Sequence, residues 1–281
     1  MPSRCDAGVA QAAGVSPAAG RGYDLRIMAP QRTVTAAVII IGNEILSGRT
    51  ADANLPYLAK ALNAVGVRVM EARVVADDEA AIVDAVNACR AVYDHVFTTG
   101  GIGPTHDDIT SAAIARAFGV AVIRDPRATD LLTRYYAAAE LSPARLKMAD
   151  IPEGATLVDN PVSAAPGFRL DNVWVLPGVP RILQAMVDGL VAGLKGGDPV
   201  LSRTISAFTT ESGIAYALAD VQQQHPATEI GSYPFVRSGR FGVSLVVRST
   251  DRAALDAAAA AVAAMLRGAG IEPLAEDAPA A

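Results

Sequence analysis

The sequence predicts an α/β fold with a mostly parallel sheet, followed by a small C-terminal α+β subdomain. In the first part of the chain, short apolar stretches alternate with segments whose apolar residues recur at helical spacing. This alternation of strand and helix is typical of parallel sheets. After Gly196 and Gly197 the order changes to strand, helix, strand, strand, helix. We therefore predict that a second, smaller unit begins there.

The elements of the first unit follow from the apolar pattern. An apolar run predicts the first strand, and leucines at helical spacing follow it in the segment that begins at Asn54. Residues 95–99 alternate and are rich in strand-forming types, whereas 110–118 has helical spacing and stops at Gly119. The predicted strands are 36–41, 67–75, 95–99, 121–124 and 173–176, and the predicted helices lie near 54–65, 78–92, 110–118 and 180–194.

The second unit is predicted to be a small sheet with packed helices. Asp251 is a favoured N-cap for its last helix, and Gly268 ends that helix. The alanine-rich last helix indicates packing against the sheet and no chemistry. The predicted strands are 200–209, 229–233 and 241–249, and the predicted helices are 212–224 and 251–267. The resulting domain prediction is 35–197 for the first unit, 198–270 for the second and 271–281 for a tail.

The first 34 residues carry no sustained periodicity. They are rich in Ala, Gly, Pro and Arg, which is typical of a flexible tail. A true start at Met28 in place of Met1 is the other interpretation. A transit peptide is not expected, because the segment lacks the amphipathic pattern that such peptides need.

The stretch TTGGIGPTHDDIT at 98–110 is the chemically richest segment of the chain. It lies between a predicted strand and a predicted helix N-terminus, where anions bind. Gly100, Gly101 and Gly103 lack a Cβ and can adopt positive φ, so successive backbone N–H groups can approach a phosphate. The stretch is neither a Walker A loop nor a dinucleotide-binding G-x-G-x-x-G motif.

Asp107 and Asp108 in the same stretch indicate a metal ion. Two carboxylates beside a phosphate repel it unless a cation lies between them, and one or two carboxylates plus substrate phosphates are the usual surroundings of Mg²⁺. We therefore expect Mg²⁺ at Asp107 and Asp108, with Mn²⁺ or Co²⁺ as alternatives. The other interpretation is that either aspartate merely caps the following helix.

A second polar loop follows the first predicted strand. Residues 41–54 read IGNEILSGRTADAN, in which Gly42 and Gly48 allow close backbone approach. Glu44 and Asn54 are candidates for contacting a sugar or a base. The other interpretation is that Asp52 or Asn54 only caps the next helix.

These loops resemble the molybdopterin-binding (MoaB/Mog-like) domain superfamily. The resemblance rests on IGNEILSGRTADAN, VVADDE at 74–79, TTGGIGPTHDDIT and LPGVP at 176–180, and extends over SAAPGF at 163–168 and IGSYP at 230–234. Within the superfamily, their order is similar to the N-terminal domain of the competence/damage-inducible protein A family and to that of eukaryotic FAD synthases. The resemblance implies a three-layer α/β/α sandwich with the site at the carboxyl ends of the strands.

The resemblance also implies roles for individual residues. In the adenylylating relatives, an aspartate after the second strand and another in the glycine loop serve metal and phosphate chemistry; these positions match Asp77 and Asp108. Their neighbours Asp78 and Asp107 leave each choice open by one residue, and Asp77 as a helix N-cap remains an alternative. The expected catalytic residues are Asp77, Asp107 and Asp108. The expected ligand-binding residues are Gly42, Asn43, Glu44, Ser47, Gly48, Asn54, Gly100, Gly101, Gly103, Pro104, Thr105, Thr110, Ser163, Gly167, Pro177 and Gly178.

Departures from the molybdenum cofactor adenylyltransferases indicate which reaction to expect. Those enzymes carry Gly-Gly-Thr-Gly and then an aromatic residue, whereas this chain has Ile102 and Pro104. The difference favours the competence-protein branch, and resemblance to that branch and to the FAD synthases implies hydrolysis of a nucleotide pyrophosphate of the ADP-ribose or FAD type. The alternatives are a molybdopterin-binding or adenylyltransferase protein and a non-catalytic nucleotide or pterin binder. The amidohydrolase domain of many competence proteins and the transferase domain of FAD synthases are not expected here.

Composition limits the partners and the cellular location that we expect for the protein. A net charge of −5 argues against a nucleic-acid partner, and no apolar run is long enough for a membrane span. Cys5 and Cys89 provide no disulfide or metal framework. We therefore expect a cytoplasmic protein, and the resemblance implies a nucleotide or pterin small-molecule ligand. The resemblance further implies a homo-oligomer, either a dimer or a trimer.

Overall fold

The computed structural model describes residues 33–138 and 140–274. The interpretations of Cys5, Met28, almost all of the predicted N-terminal tail and most of the predicted C-terminal tail lie outside these residues. The elements are β1 (Val34–Ile41), α1 (Asn43–Leu46), α2 (Asn54–Ala64), β2 (Val67–Val75), α3 (Glu79–Arg90), β3 (His95–Thr99), α4 (Thr110–Phe118), β4 (Val122–Arg124), α5 (Pro126–Tyr135), α6 (Pro143–Leu146), β5 (Asp150–Pro152), β6 (Thr156–Val158), β7 (Gly167–Leu170), β8 (Val173–Leu176), α7 (Pro180–Val191), β9 (Leu201–Ala207), α8 (Glu211–Gln224), β10 (Glu229–Arg237), β11 (Arg240–Ser249) and α9 (Arg252–Gly268).

The large sheet is mostly parallel, as predicted. Its strand order is β2-β1-β3-β8-β7-β6, in which β2, β1, β3 and β8 run parallel and β7 is antiparallel to both of its neighbours. Ile40 pairs with Thr99, and Thr99 pairs with Leu176, so the carboxyl ends of three strands are level. The loops that follow these strands therefore meet at one edge of the sheet.

Both faces of the large sheet are covered, which confirms the three-layer sandwich. In β1, Ala37, Ile39 and Ile41 pack in one hydrophobic cluster with residues of α3 and α4. Alternate residues of the same strand pack in a second cluster with residues of α2 and α7. A strand buried on both faces must be apolar at nearly every position, which explains the continuous apolar run that the sequence shows there.

The C-terminal region forms the α+β subdomain that the sequence predicts. Its three-stranded antiparallel sheet has the order β10-β11-β9. Alternate residues of β11, namely Val243, Leu245 and Val247, are buried against residues of α8 and α9 in a hydrophobic cluster of their own. The exact division at residues 197 and 198 stays a prediction.

The segment between α4 and β8 departs from the sequence prediction. Residues 121–124 were predicted as a strand of the alternating parallel pattern, but β4 pairs antiparallel with β5 in a separate two-stranded sheet. The helices α5 and α6 and the strands β5, β6 and β7 were missed. The start of α5 carries a readable signal, because Asp125 is its N-cap and Pro126 is its first residue. The strands are too short for periodicity to reveal them.

No helix in the described part of the chain is long and apolar enough to cross a membrane.

Asp125 supplies a test of local stability. Its carboxylate is 5% exposed and accepts hydrogen bonds from the backbone of Arg127 and Ala128 at 2.8 and 3.2 Å. The Arg127 guanidinium is the main cause that lowers the pKa of Asp125 below its usual value. We expect Asp125→Ala to lower the free energy of unfolding by about 1 kcal/mol at neutral pH, the usual contribution of an N-cap. Urea denaturation checks this value.

The pH dependence of the Asp125→Ala effect has a fixed sign. A carboxylate with a lowered folded-state pKa stabilises the protein above its unfolded-state pKa and loses that contribution as the pH falls through the folded-state value. The stability difference between wild type and variant should therefore shrink below about pH 4. Asp84→Ala, which removes an exposed aspartate of α3, is the control. A difference that stays constant down to pH 3 would contradict the assignment.

Candidate functional site

A cavity of about 470 Å³ lies at the edge where the strands of the large sheet end. Loops after β1, β2, β3 and β8 contribute to it, together with segments around residues 148 and 160–165. Predicted site residues on its wall are Glu44, Asp77, Gly100, Gly101, Gly103, Pro104, Asp107, Asp108, Ser163, Pro177 and Gly178. The predicted loops thus converge, as expected for ligand sites of open α/β sheets.

The glycine loop needs its glycines for two close backbone approaches. Gly100 has φ of 105°, and a Cβ there would lie 2.2 Å from the carbonyl oxygen of Ile41. Gly101 has φ of 68°, and a Cβ there would lie 2.2 Å from the Thr110 hydroxyl. Both positions combine a left-handed backbone with no room for a side chain. The loop is therefore fixed against the end of β1 and the start of α4.

Thr110 ties the start of α4 to the glycine loop. The residue is buried, its hydroxyl donates to the carbonyl of Gly100 at 3.0 Å, and its backbone N–H donates to the carbonyl of Gly101 at 2.9 Å. The N-cap of α4 is Ile109, and no side chain caps the helix. The alternative that Asp107 or Asp108 caps this helix is therefore wrong.

The two loop aspartates differ in their surroundings. The Asp108 carboxylate accepts hydrogen bonds from the backbone N–H of Thr105 at 2.8 Å and from the Thr105 hydroxyl. The Asp107 side chain is 64% exposed. Thr105 thus organises the acidic end of the loop, although it does not line the cavity itself.

Hydrogen bonds distinguish the roles of the two aspartates after β2, Asp77 and Asp78. Asp78 is the N-cap of α3, because its carboxylate accepts from the backbone N–H of Ala81 at 2.9 Å. Asp77 instead accepts from the backbone N–H of Asn43 at 2.9 Å and lines the cavity. The alternative in which Asp77 caps this helix is therefore wrong. Asp77 joins the loop after β2 to the loop after β1.

Lys147 is a residue that the sequence did not reveal. It lies in a 3₁₀ turn, Lys147–Ala149, and its ammonium donates to the carbonyl of Asp108 at 3.0 Å and to the carbonyl of Thr105. A lysine some forty residues after the loop carries no motif that would connect the two. Its charge offsets part of the negative potential of the loop aspartates.

We expect Lys147→Met to loosen the glycine loop without unfolding the protein. Methionine keeps an unbranched stem but removes the donor that joins the two loop carbonyls. Faster amide hydrogen exchange in residues 102–109 should result, because lost hydrogen bonds lower the free energy of local opening. Lys60→Met, on the exposed side of α2, is the control. Unchanged exchange in this loop would show that Lys147 does not hold it.

Several predicted ligand residues support the cavity from outside. Asn43 positions Asp77, and the Ser47 hydroxyl donates to the carbonyl of Glu44 at 3.2 Å. Gly167 is buried in β7, where a Cβ would lie 2.5 Å from the carbonyl oxygen of Val175, so packing explains this glycine. The predicted residues that do not line the main cavity are Gly42, Asn43, Ser47, Gly48, Asn54, Thr105, Thr110 and Gly167.

The second loop contains a cap and a buried amide. Asp52 accepts from the backbone N–H of Leu55 at 2.8 Å, so this aspartate serves the start of α2. Asn54 does not cap α2, and its amide nitrogen instead donates to the carbonyl of Gly178 at 2.9 Å. Asn54 lines a smaller pocket of about 60 Å³ beside the main cavity.

Asn160 is another missed residue. It is buried, its amide nitrogen donates to the Ser163 hydroxyl at 2.8 Å and to the carbonyl of Ala165 at 2.7 Å, and its carbonyl oxygen accepts from the backbone of Val162 and Ser163. These bonds form the turn that brings Ser163 to the cavity. An asparagine in a turn-forming segment was the available signal. The other cavity-lining residues that were missed are Ile41, Thr50, Ile102, Met148, Ala165, Val179 and Ile182.

The donor set on the cavity wall suits a hard divalent cation. The wall carries the carboxylates of Glu44, Asp77, Asp107 and Asp108, and no lysine or arginine is on it among the described residues. No three His, Cys, Asp or Glu side chains within residues 33–138 and 140–274 form a complete cluster of ligands. An ion held here would therefore depend on ligand oxygens and water for the rest of its shell, as Mg²⁺ usually does.

Known proteins are similar to this chain in sequence and in fold. Residues 37–201 match the family described as a probable molybdopterin binding domain, and residues 199–275 match the FAD synthase middle domain. A CinA-like protein of Syntrophus aciditrophicus is 38% identical over 212 residues, which cover 70% of this chain and 50% of the relative. A probable FAD synthase of Caenorhabditis briggsae is 30% identical over 270 residues, which cover 86% of this chain and 51% of the relative. The chain thus spans about half the length of these two curated relatives.

A solved structure supports the same assignment. The protein CinA of Thermoplasma acidophilum, whose function is described as unknown, is 37% identical and superimposes with a TM-score of 0.54. The superposition covers 57% of this chain and 96% of that one. The predicted superfamily and relatives are therefore confirmed. The chain belongs to the family of probable molybdopterin-binding domains.

Proposed function

We propose that the protein is a metal-dependent nucleotide pyrophosphate hydrolase that acts on compounds of the ADP-ribose or FAD type. One observation carries the proposal: a glycine loop and four carboxylates line a single cavity whose described wall has no cationic side chain. A diphosphate could bind in this cavity only together with a cation, because the carboxylates would otherwise repel it. When bound, the cation would neutralise the diphosphate and activate a water molecule.

The residues of this chain supply position and charge. The glycine loop can bring backbone N–H groups close to phosphate oxygens, since no Cβ separates them. Asp77, Asp107 and Asp108 would orient the cation and the phosphates, and Glu44 faces the same space. Phosphoryl transfer needs little covalent help from a protein, so positioning and electrostatic stabilisation are expected to provide most of the rate.

A screen of substrates tests the proposal directly. Purified protein is mixed with ADP-ribose, FAD and nucleotide diphosphate sugars in the presence of Mg²⁺, Mn²⁺ or Co²⁺, and the products are separated by chromatography. We expect ADP-ribose and water to give AMP and ribose 5-phosphate, with no product after chelation of the metal. Absence of AMP from every compound with every metal would reject the hydrolase.

The family description favours a second candidate, a molybdopterin ligand. In that case the same cavity would bind a pterin and either hold it or transfer AMP from ATP onto it. Formation of adenylylated molybdopterin from ATP would support the transferase. Tight binding without any product would support a binder that has no turnover.

A further inference from the structure

We propose that the small pocket beside the main cavity, lined in part by Glu44 and Asn54, is a subsite for the 2′,3′-diol of a ribose. The proposal rests on the proposed function, because it identifies the sugar of a nucleotide whose phosphates lie at the glycine loop. It assigns the ligand class as ribonucleotides and excludes 2′-deoxyribonucleotides as preferred ligands.

The first observation is an acceptor with no partner. Asn54 is 4% exposed, and its carbonyl oxygen Oδ1 is buried without a hydrogen-bond partner in the described structure. The orientation of the amide is fixed, because its nitrogen donates to the carbonyl of Gly178 at 2.9 Å. If the Asn54 amide were rotated by half a turn, its Oδ1 atom would face the carbonyl oxygen of Gly178, and two acceptors would repel each other. Oδ1 is therefore an acceptor that needs a donor, and burying it unsatisfied would destabilise the fold.

The second observation is the chemistry of the pocket wall. Besides Asn54, the wall carries the carboxylates of Glu44 and Asp52, which accept hydrogen bonds and cannot donate them when ionised. The Glu44 carboxylate folds back toward Gly42, where a Cβ would lie 2.6 Å from its Oε1 atom. The negative charge of these carboxylates disfavours a phosphate at this wall. A pair of hydroxyl groups, which donate, matches it.

The third observation separates a sugar from a bare cation. Much of the wall is apolar and includes Ile40, Ile45 and Pro180. These apolar side chains offer no ligands to a cation, whereas the carbon face of a sugar ring packs well on them. The pocket volume of about 60 Å³ equals the share of roughly two water molecules in the liquid. This volume admits the two hydroxyl groups of the diol.

The fourth observation is the position of the pocket. Ile41, Glu44, Thr50 and Gly178 line both the small pocket and the main cavity. The glycine loop also reaches Gly178, because a Cβ there would lie 3.3 Å from the Cα of Gly100. A group in the small pocket is thus next to a phosphate at the loop. In a nucleoside diphosphate, the ribose is likewise the group next to the phosphates.

The test compares ligands on the unaltered protein. Calorimetry with Mg²⁺ measures the dissociation constants of ADP, 2′-deoxy-ADP and 3′-deoxy-ADP, which each contain one sugar. We expect each deoxy compound to bind about tenfold or more weakly than ADP, since one acceptor of the subsite is then left without its donor. Equal binding of ADP and both deoxy compounds would overturn the subsite. Absence of ADP binding at millimolar concentration would also overturn it.

A variant pair separates the subsite from general effects. Glu44→Ala should reduce the preference for ADP over 2′-deoxy-ADP to within about twofold, because the preference depends on this acceptor. Leu46→Ala, an exposed truncation on the same short helix, should keep the preference. If Glu44→Ala kept the full preference for ADP over 2′-deoxy-ADP, the proposal would be overturned. Release of AMP from ADP-ribose without any preference for ribose would reject the subsite and leave the hydrolase intact.

Discussion

Asp108→Ala is expected to reduce metal-dependent AMP release from ADP-ribose by about a hundredfold or more, with an unchanged circular dichroism spectrum. Removing a group that stabilises charge in the transition state lowers rates by about this factor. Asp108 lies on the cavity wall at the end of the glycine loop and outside the hydrophobic clusters, so the fold should persist. Steady-state kinetics with Mg²⁺ measures the effect.

Two further variants separate charge from loop structure. Asp108→Asn keeps an oxygen that can accept from Thr105 but removes the negative charge. It should lose most of the activity if Asp108 acts on a cation, and little if Asp108 only holds the turn. Asp84→Ala removes an aspartate of α3 that is exposed, and should retain full activity. Global unfolding of Asp108→Ala would indicate a structural role instead.

Gly100→Ala is expected to lower the free energy of unfolding by about 3 kcal/mol, or to prevent folding of the loop. The backbone at φ of 105° is strained for any residue with a side chain, and the new methyl group would lie 2.2 Å from the carbonyl oxygen of Ile41. Left-handed strain contributes about 1 to 2 kcal/mol, and overpacking against a rigid strand contributes a similar amount. Urea denaturation measures the loss.

Gly119→Ala is the matched control for Gly100→Ala. Gly119 also has positive φ, at 67°, but no atom would lie within 4 Å of a Cβ placed there. Only the backbone strain of about 1 kcal/mol should remain. Equal destabilisation by the two substitutions would show that the approach to Ile41 is unimportant, and would remove the physical reason given for this glycine.

The sequence predicted the regular parts of the fold because their patterns are local. The bounds of β2, β3, α4 and β8 agree with the predictions, since apolar or alternating strands and amphipathic helices show their periodicity directly. The β4–β5 pairing was not predictable in this way. A three-residue strand carries too little pattern to indicate its partner or direction.

The site was predictable where its residues belong to loops that follow adjacent strands. Parallel strands bring such loops together, which accounts for Asp77, the glycine loop and Gly178 on one wall. Lys147 and Asn160 escaped prediction because they act through backbone carbonyls of distant or irregular segments. The choice between Asp77 and Asp78 required coordinates, since either residue could have capped α3.

The most direct test of the central claim is a crystal structure with Mn²⁺ and a non-hydrolysable analogue of ADP-ribose, with anomalous diffraction locating the metal. We predict a manganese peak in the main cavity, bound by at least one carboxylate among Asp77, Asp107 and Asp108 and by oxygens of the diphosphate. The diphosphate should contact backbone N–H groups of residues 100–103. A diphosphate bound elsewhere, or no metal beside these carboxylates, would contradict the account.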